Sequence, residues 1–167
     1  SERESLRPDW SVMIPTYRPQ ENYLREALES VLIQDPGPDR MQIEVVDDCS
    51  PGVDVEKLVK SLAGDRVKFS KTPRNLGLAG CWNTAVQRAC GRWVHLLHQD
   101  DFVFYGFYHK LALAETIGGD SVRAAFCRHS YTHEDSICLE FSAIHRRSPG
   151  ILAVSYTHLR AHETLRY

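Results

Sequence analysis

Gln42-Ile43-Glu44-Val45-Val46-Asp47-Asp48-Cys49-Ser50-Pro51-Gly52 reads as a β-branched strand that opens directly into a cluster of loop formers, so an acidic pair stands at a strand's C-terminal end. Trp93-Val94-His95-Leu96-Leu97 repeats the arrangement and runs into His98-Gln99-Asp100-Asp101. Upstream, the apolar run Trp10 to Ile14 ends in Pro15-Thr16-Tyr17, and Arg66 to Ser70 supplies a further short strand. Between these runs, apolar residues recur at helical spacing. Leu24, Ala27, Leu28, Val31 and Leu32 form one face, stopped by Pro36-Gly37-Pro38, and Val55, Leu58, Val59 and Leu62 form a second, up to Gly64. Asn75 to Ala89 carries a third face through Leu78, Cys81, Trp82, Ala85, Val86 and Ala89, with Gly91 as its C-terminal stop. Strands alternating with such helices imply right-handed crossovers and a mostly parallel sheet covered on both faces. Sheets of this kind bind ligands beyond their strand C-termini. The loops after the first, second and fourth strands are therefore expected to converge on one ligand.

Farther along, Tyr108 to Ile117 is predicted helical, Gly118-Gly119 a turn, and Val122 to Cys127 with Ile137 to Phe141 an antiparallel hairpin. No internal repeat or low-complexity tract is visible, and no domain boundary is placed between residues 8 and 150. At 167 residues and 43% hydrophobic content, one core and one domain are expected. A formal charge of -2 gives no excess of positive charge, which argues against a nucleic-acid partner and leaves any grip on phosphate to a few placed residues or a metal. The cysteines Cys49, Cys81, Cys90, Cys127 and Cys138 are odd in number and lack metal-site spacing, so they are read as reduced thiols. The charged start has no apolar run of signal-peptide length, and nowhere do about 18 apolar residues follow one another. A cytoplasmic location, including the cytoplasmic face of a membrane, is the expectation. Oligomeric state is not legible.

Adjacent carboxylates at a strand end can hold a hard divalent cation that shares its oxygen shell with a diphosphate. Mg²⁺ needs only one or two protein carboxylates when phosphates complete that shell, so Asp100-Asp101 fits such chemistry; the bland alternative is that both acids cap the next segment or face water. Either carboxylate of Asp47-Asp48 could accept a hydrogen bond from an imide N–H or a ribose hydroxyl. Arg74 is a candidate charge partner for diphosphate, or a solvated residue before a helix. Asn75 is a candidate N-cap and ligand contact, and Asn83 a candidate link from the third helix to the loops. His98 is read as solvent-facing or supporting, His129, His133 and Glu134 as structural, and Trp82 and Trp93 as core rather than sugar platform.

The motifs Ser11-Val12-Met13-Ile14-Pro15-Thr16-Tyr17, Ala27-Leu28-Glu29-Ser30-Val31, Val45-Val46-Asp47-Asp48, Arg74-Asn75-Leu76-Gly77 with Asn83, and Gln99-Asp100-Asp101 follow one another from about residue 10 to 152 in a way that resembles a family 2 glycosyltransferase. Ala124 to His129 and Ser148-Pro149-Gly150 extend the likeness. The resemblance implies an α/β, Rossmann-like sandwich of the GT-A type. It also implies an inverting transfer of sugar from a nucleotide-diphosphate sugar, UDP- or dTDP-linked, to a hydroxyl of a glycan or lipid-linked acceptor, in polysaccharide, glycolipid or cell-surface glycan synthesis. By the same resemblance the Pro15-Thr16 loop and Asp48 hold the nucleoside, Asp100 approaches the ribose or the donor sugar, and Asp101 ligates Mg²⁺ or Mn²⁺; Tyr17, Asp47, Arg74, Asn75 and Asn83 complete the candidate donor contacts. The family's catalytic base, a later acidic motif, is not found in the chain.

Val154 to Thr164 is similar, residue for residue, to the translation of a transposase adaptor used in preparing DNA sequencing libraries. The expected organisation is therefore an N-terminal extension over 1–9, the nucleotide-sugar-binding part of an incomplete domain over 10–152, and a non-native tail over 153–167. A nucleotidyltransferase of related fold is the competing enzyme reading, weakened by the absence of glycine from Pro15-Thr16-Tyr17-Arg18-Pro19. A non-catalytic nucleotide-sugar-binding chain is the competing reading of another class.

Overall fold

A computed structural model describes residues 7–119, 122–125, 130–132 and 138–141. The tail over 153–167, Ser148-Pro149-Gly150 and the cluster of His129, His133 and Glu134 lie outside them. The chain divides into two units at Gly119. The first unit runs β1 (Trp10–Thr16), α1 (Glu21–Leu32), β2 (Met41–Asp47), α2 (Val55–Ala63), β3 (Lys68–Lys71), α3 (Gly77–Arg88), β4 (Trp93–Leu96) and α4 (Phe107–Gly118). Its four strands lie in the order β3-β2-β1-β4, every pair parallel. In the second unit β5 (Ser130–Thr132) pairs antiparallel with β6 (Cys138–Phe141). The hairpin expectation is corrected at its first strand. Val122 to Ala125 carries no strand, and the β-branched and aromatic Thr132 and Tyr131 supply the pairing instead.

The strand order dictates where the helices go. The chain steps one way from β1 to β2 to β3, then returns past β1 to β4, and right-handed crossovers in opposite directions leave their helices on opposite faces. Alternation along the strands matches this. Trp10, Val12 and Ile14 of β1 and Met41, Ile43 and Val45 of β2 pack with Leu24, Leu28 and Val31 of α1, with Val55 and Val59 of α2, and with Tyr108 of α4. Met13 and Val46, on the other face, pack with Cys81 and Ala85 of α3. The remainder of that second face is polar. Glu44, 2% exposed, accepts from Gln42 Nε2 at 3.0 Å and pairs with Arg88 of α3, while Gln42 Oε1 accepts from Ser11 Oγ at 2.5 Å and Cys90 N at 2.9 Å. A buried carboxylate is tolerable only when paired in this way. Its partners fasten the C-terminal end of α3, which fixes the direction in which the other end points.

Gly91 is required for a reason different from the expected stop signal. The residue closing α3 is Ala89, in an extended conformation, and Gly91 does not adopt positive φ. A Cβ on Gly91 would lie 2.6 Å from both Ser11 N and the Trp10 carbonyl carbon. The glycine lets the chain pass against β1. Likewise α3 starts at Gly77 rather than Asn75, since Gly77 holds φ +72° and no side chain caps the Leu76 position. The other boundaries fall within a few residues of the expectation.

Helix α4 is laid on β4 by His95 Nδ1, 3.1 Å from the Tyr108 hydroxyl, and by Trp93 Nε1 donating to Glu115 Oε2 at 3.2 Å. Burial, aided by the charge of His98, lowers the pKa of His95 from 6.5 to about 4. No helix among the described residues is long and apolar enough to cross a membrane. Cys49, Cys81 and Cys90 are free thiols.

Two outcomes follow for stability. Gly91→Ala forces the chain off β1 and lowers the unfolding free energy by roughly 1–3 kcal/mol, read from the urea midpoint. Between pH 6.5 and about 4 the unfolded chain binds a proton at His95 that the folded chain refuses, so this contribution to stability is complete above pH 6.5 and is lost as pH falls through the window. The loss is on the order of 2–3 kcal/mol. Melting curves of His95→Phe should show a correspondingly flatter dependence over that range.

Candidate functional site

The register Thr16↔Asp47 ends β1 and β2 at the same level, and β1 is also the strand at which the order reverses toward β4. A crevice is expected beyond the carboxyl ends at such a switch point. Three loops meet there, and each is tied to a neighbour through a named side chain.

Asp47, fully buried, serves its own turn. Its Oδ2 accepts from Ser50 N at 3.0 Å and its Oδ1 from Ser50 Oγ at 2.5 Å, with Thr16 Oγ1 at 3.4 Å and Lys71 Nζ at 3.9 Å completing its surroundings. Ser50 Oγ in turn accepts from Arg18 N at 2.8 Å, which joins the β2 loop to the β1 loop. An aspartate bonded to the backbone a few residues ahead is the usual way such a loop holds its shape. Arg18 and Cys49 sit at φ 49° and 58°, so both loops bend through a conformation that L-residues adopt at a cost.

Asp48 ties the β2 loop to the segment before α3. Its Oδ1 accepts from Leu76 N at 2.8 Å and lies 3.0 Å from Thr72 Oγ1, which is also 2.8 Å from the Arg74 carbonyl. No described residue donates to its Oδ2. Asn75 Oδ1 accepts from Gly77 N at 3.1 Å, bending the chain into the helix. The third tie is reciprocal. Gln99, after β4, accepts from Tyr17 N at 2.8 Å through Oε1 and donates to the Tyr17 carbonyl at 3.3 Å through Nε2.

The space enclosed is a cleft of about 500 Å³ lined by Pro15, Thr16 and Tyr17 from the first loop, Asp48 from the second, Asn75, Gly77, Leu78, Cys81 and Trp82 from α3 and its approach, and His98, Gln99 and Asp100 from the fourth strand's loop. The structure thus brings together Pro15, Thr16, Tyr17, Asp48, Asn75 and Asp100 of the residues singled out in the sequence. It sets Asp47, Arg74, Asn83 and Asp101 outside the lining. Asp47 is turned into its own loop, and Arg74 and Asn83 are exposed without side-chain partners among the described residues. The Asp101 side chain is 66% exposed, with Oδ2 3.7 Å from His98 Nδ1. At the floor, burial and the neighbouring charge of Asp48 push the Cys81 thiol up to about 11, which makes it a poor nucleophile.

Among the described residues no group of three or more His, Cys, Asp or Glu could hold a metal by itself. Asp100 and Asp101 are nonetheless adjacent and exposed, a donor set that fits a hard cation whose shell is completed by phosphate oxygens and water.

Trp82 differs from its expected role, whereas His98 keeps the solvent-facing, supporting position expected of it. Trp93 packs against the core as foreseen, but Trp82 lines the cleft with its ring centroid 5.1 Å from that of His98. The helical period alone places Leu78, Cys81, Trp82 and Ala85 on one face. One residue after Cys81, Trp82 is turned about 100° around α3, so its ring reaches His98 while Cys81 and Ala85 stay over the sheet and Cys81 forms the cleft floor. Ser50, Thr72 and Gln99 carry no bracing role in the sequence reading, since the signal of each is a single polar side chain next to a strand end.

Comparison with known proteins agrees with this geometry. The succinoglycan biosynthesis protein ExoO of Rhizobium meliloti is 33% identical over 96 residues, 58% of this chain and 26% of that protein. The poly(ribitol-phosphate) beta-N-acetylglucosaminyltransferase TarS of Staphylococcus aureus is 33% identical over 95 residues, 56% of this chain and 16% of TarS. The crystal structure of TarS 1-349 in complex with UDP superposes with a TM-score of 0.57 at 29% identity, covering 65% of this chain and 32% of that one; the complex with UDP-GlcNAc gives 0.55, again at 29% identity and 65% coverage of this chain, with 31% of the TarS chain covered. The chain thus spans about a quarter or less of the length of these curated relatives. The fold is that of the GT-A glycosyltransferases. Residues 11–130, which contain the strand ends and loops that build the cleft, match glycosyl transferase family 2, and the chain belongs to that family.

Proposed function

We propose that this chain carries the donor site of a glycosyltransferase that takes its sugar from a UDP-linked donor and transfers it, with inversion, to a hydroxyl acceptor in the synthesis of a polysaccharide or cell-surface glycan at the cytoplasmic face of the membrane. The observation that carries the reading is the convergence of three strand-end loops on one cleft, each held by a side chain whose bonds are internal to the site. The likeness to TarS, whose structures hold UDP and UDP-GlcNAc, favours uridine as the nucleoside.

The roles follow from the chemistry of each group. Asp48 has one oxygen committed to Leu76 and Thr72, so its other oxygen is positioned to accept from the uracil imide or a ribose hydroxyl. Tyr17, 40% exposed beside the cleft, offers a ring to the base. Asp100 and Asp101 would hold Mg²⁺ or Mn²⁺ against the diphosphate. The bound ion supplies electrostatic stabilisation of the departing nucleoside diphosphate. The exposed guanidinium of Arg74, near Asn75 at the cleft edge, is the closest cation in sequence to add to that field. The attacking hydroxyl loses its proton to a carboxylate base on the acceptor side.

Titration with UDP-glucose, UDP-galactose, UDP-GlcNAc and dTDP-rhamnose, with and without Mn²⁺, tests the reading. UDP-linked donors should bind, more tightly with metal, and Asp101→Ala should abolish the gain from Mn²⁺. Preference for a nucleoside triphosphate would favour a nucleotidyltransferase instead. Asp48→Ala removes a charged acceptor worth about 1.5–3 kcal/mol, so UDP affinity should fall roughly ten- to a hundredfold. An unchanged affinity in a folded Asp48→Ala chain would contradict the assigned role.

A further inference from the structure

The face of α3 that reaches the cleft ends in an aromatic side chain with an unsatisfied polar atom. Trp82 Nε1 is buried and has no hydrogen-bond partner. A buried indole N–H ordinarily finds an acceptor, and leaving one unmade costs about 1–3 kcal/mol. Trp82 is not explained as filler. The buried cluster on its side of the sheet consists of Met13, Val46, Cys81 and Ala85. One turn earlier Leu78, 70% exposed, lines the same wall. Large apolar groups thus face a cleft whose polar contributions include the Asp48 and Asp100 carboxylates, the Asn75 and Gln99 carboxamides and the Thr16 hydroxyl.

That pairing of an apolar wall with polar groups suits a pyranose ring, which presents C–H groups on its faces and hydroxyls around its edge. Placement adds to the argument. The His98 ring that abuts Trp82, at 5.1 Å and 48°, also lies 3.7 Å from the Asp101 carboxylate, so the aromatic pair stands beside the acidic pair. If that acidic pair meets the diphosphate, as the proposed function has it, the groups flanking it are the ribose, which that reading gives to the Asp48 side, and the sugar being transferred, which is left for the Trp82 side. We propose that Trp82, backed by His98, is the seat of the donor's sugar ring, packing against its C–H face and offering Nε1–H to one of its hydroxyls. Because Nε1 is buried, that bond requires a side-chain movement at the cleft, such as rotation of the exposed His98 ring.

Calorimetric titration of the full chain with UDP and with UDP-GlcNAc, both with Mn²⁺, reads the sugar's share as the ratio of the two Kd values. The unmodified chain should prefer UDP-GlcNAc by about threefold or more. Trp82→Ala should bring the ratio to about one while UDP itself changes by less than about twofold, and Trp82→Phe, which keeps a ring but loses the N–H, should fall between. Should Trp82→Ala fail to fold, Trp82→Phe decides, with a lowered ratio expected. A ratio unchanged by the substitution, or equal losses for UDP and UDP-GlcNAc, would overturn the seat. A chain that binds UDP with no gain from the sugar overturns the seat alone, whereas one that binds neither ligand overturns the donor-site reading and the seat with it.

Discussion

The two carboxylates that end β2 cannot both reach solvent, because the strand lies between β1 and β3 and is buried along its whole length. Each takes donors from the protein, Asp47 through both oxygens and Asp48 through Oδ1, and the partners each finds decide the shape of the cleft. Asp47 turns back onto Ser50 and through it holds Arg18 of the first loop. Asp48 turns forward and takes the Leu76 amide, which sets where α3 begins. A buried acceptor left without donors would cost more than the net value of the bonds it makes, so these contacts are a requirement on the fold as much as a source of stability. Two neighbouring residues of one type thereby do separate work, one shaping a loop and the other presenting an oxygen to the cleft.

The rest of the first unit is arranged so that these loops stay in place. Glu44 and Arg88 fasten one end of α3, and Gly91 lets the chain turn closely under β1 to enter β4. Beyond β4, Gln99 reaches across to Tyr17 and closes the ring of loops. The reversal of strand order at β1 is what makes the arrangement possible, since it opens a gap between the loop leading into α1 and the one leading into α3. The strain at Arg18 and Cys49 falls at this same place.

Much of the fold was legible because its signals are periodic. The β-branched run before Asp47, the apolar helical faces and the alternation of strand with helix lead directly to a parallel sheet covered on both sides. The positions of Asp48, Thr16 and Asp100 in one cleft followed from strand ends alone. What escaped the sequence depended on direction and approach. Asp47 and Asp48 are adjacent acids at one strand end, and alternation turns them apart, Asp48 toward the approach to α3 on the side of Val46 and Asp47 into its own loop. Trp82 shares a helical face with the core residues Cys81 and Ala85, and its different surroundings depend on where α3 stands relative to the end of the sheet. Gly91 was read as a helix stop when its actual constraint is contact with a strand some eighty residues earlier in the chain. The hairpin of the second unit kept its second strand and shifted its first, because the apolar content of Val122 to Cys127 says nothing about which residues oppose Cys138 to Phe141.

In the proposed function a nucleoside diphosphate occupies the space bounded by Thr16, Asp48, Asn75 and Asp100. A crystal structure of the chain grown with UDP and Mn²⁺ tests it most directly. Nucleotide density is expected in that cleft, with a uracil or ribose group within hydrogen-bond distance of the Asp48 Oδ2 oxygen and the diphosphate toward Asp100. Nucleotide bound elsewhere, for example in the smaller pocket formed by Gly52, Asp54 and Lys71, with the cleft left to solvent, would contradict it.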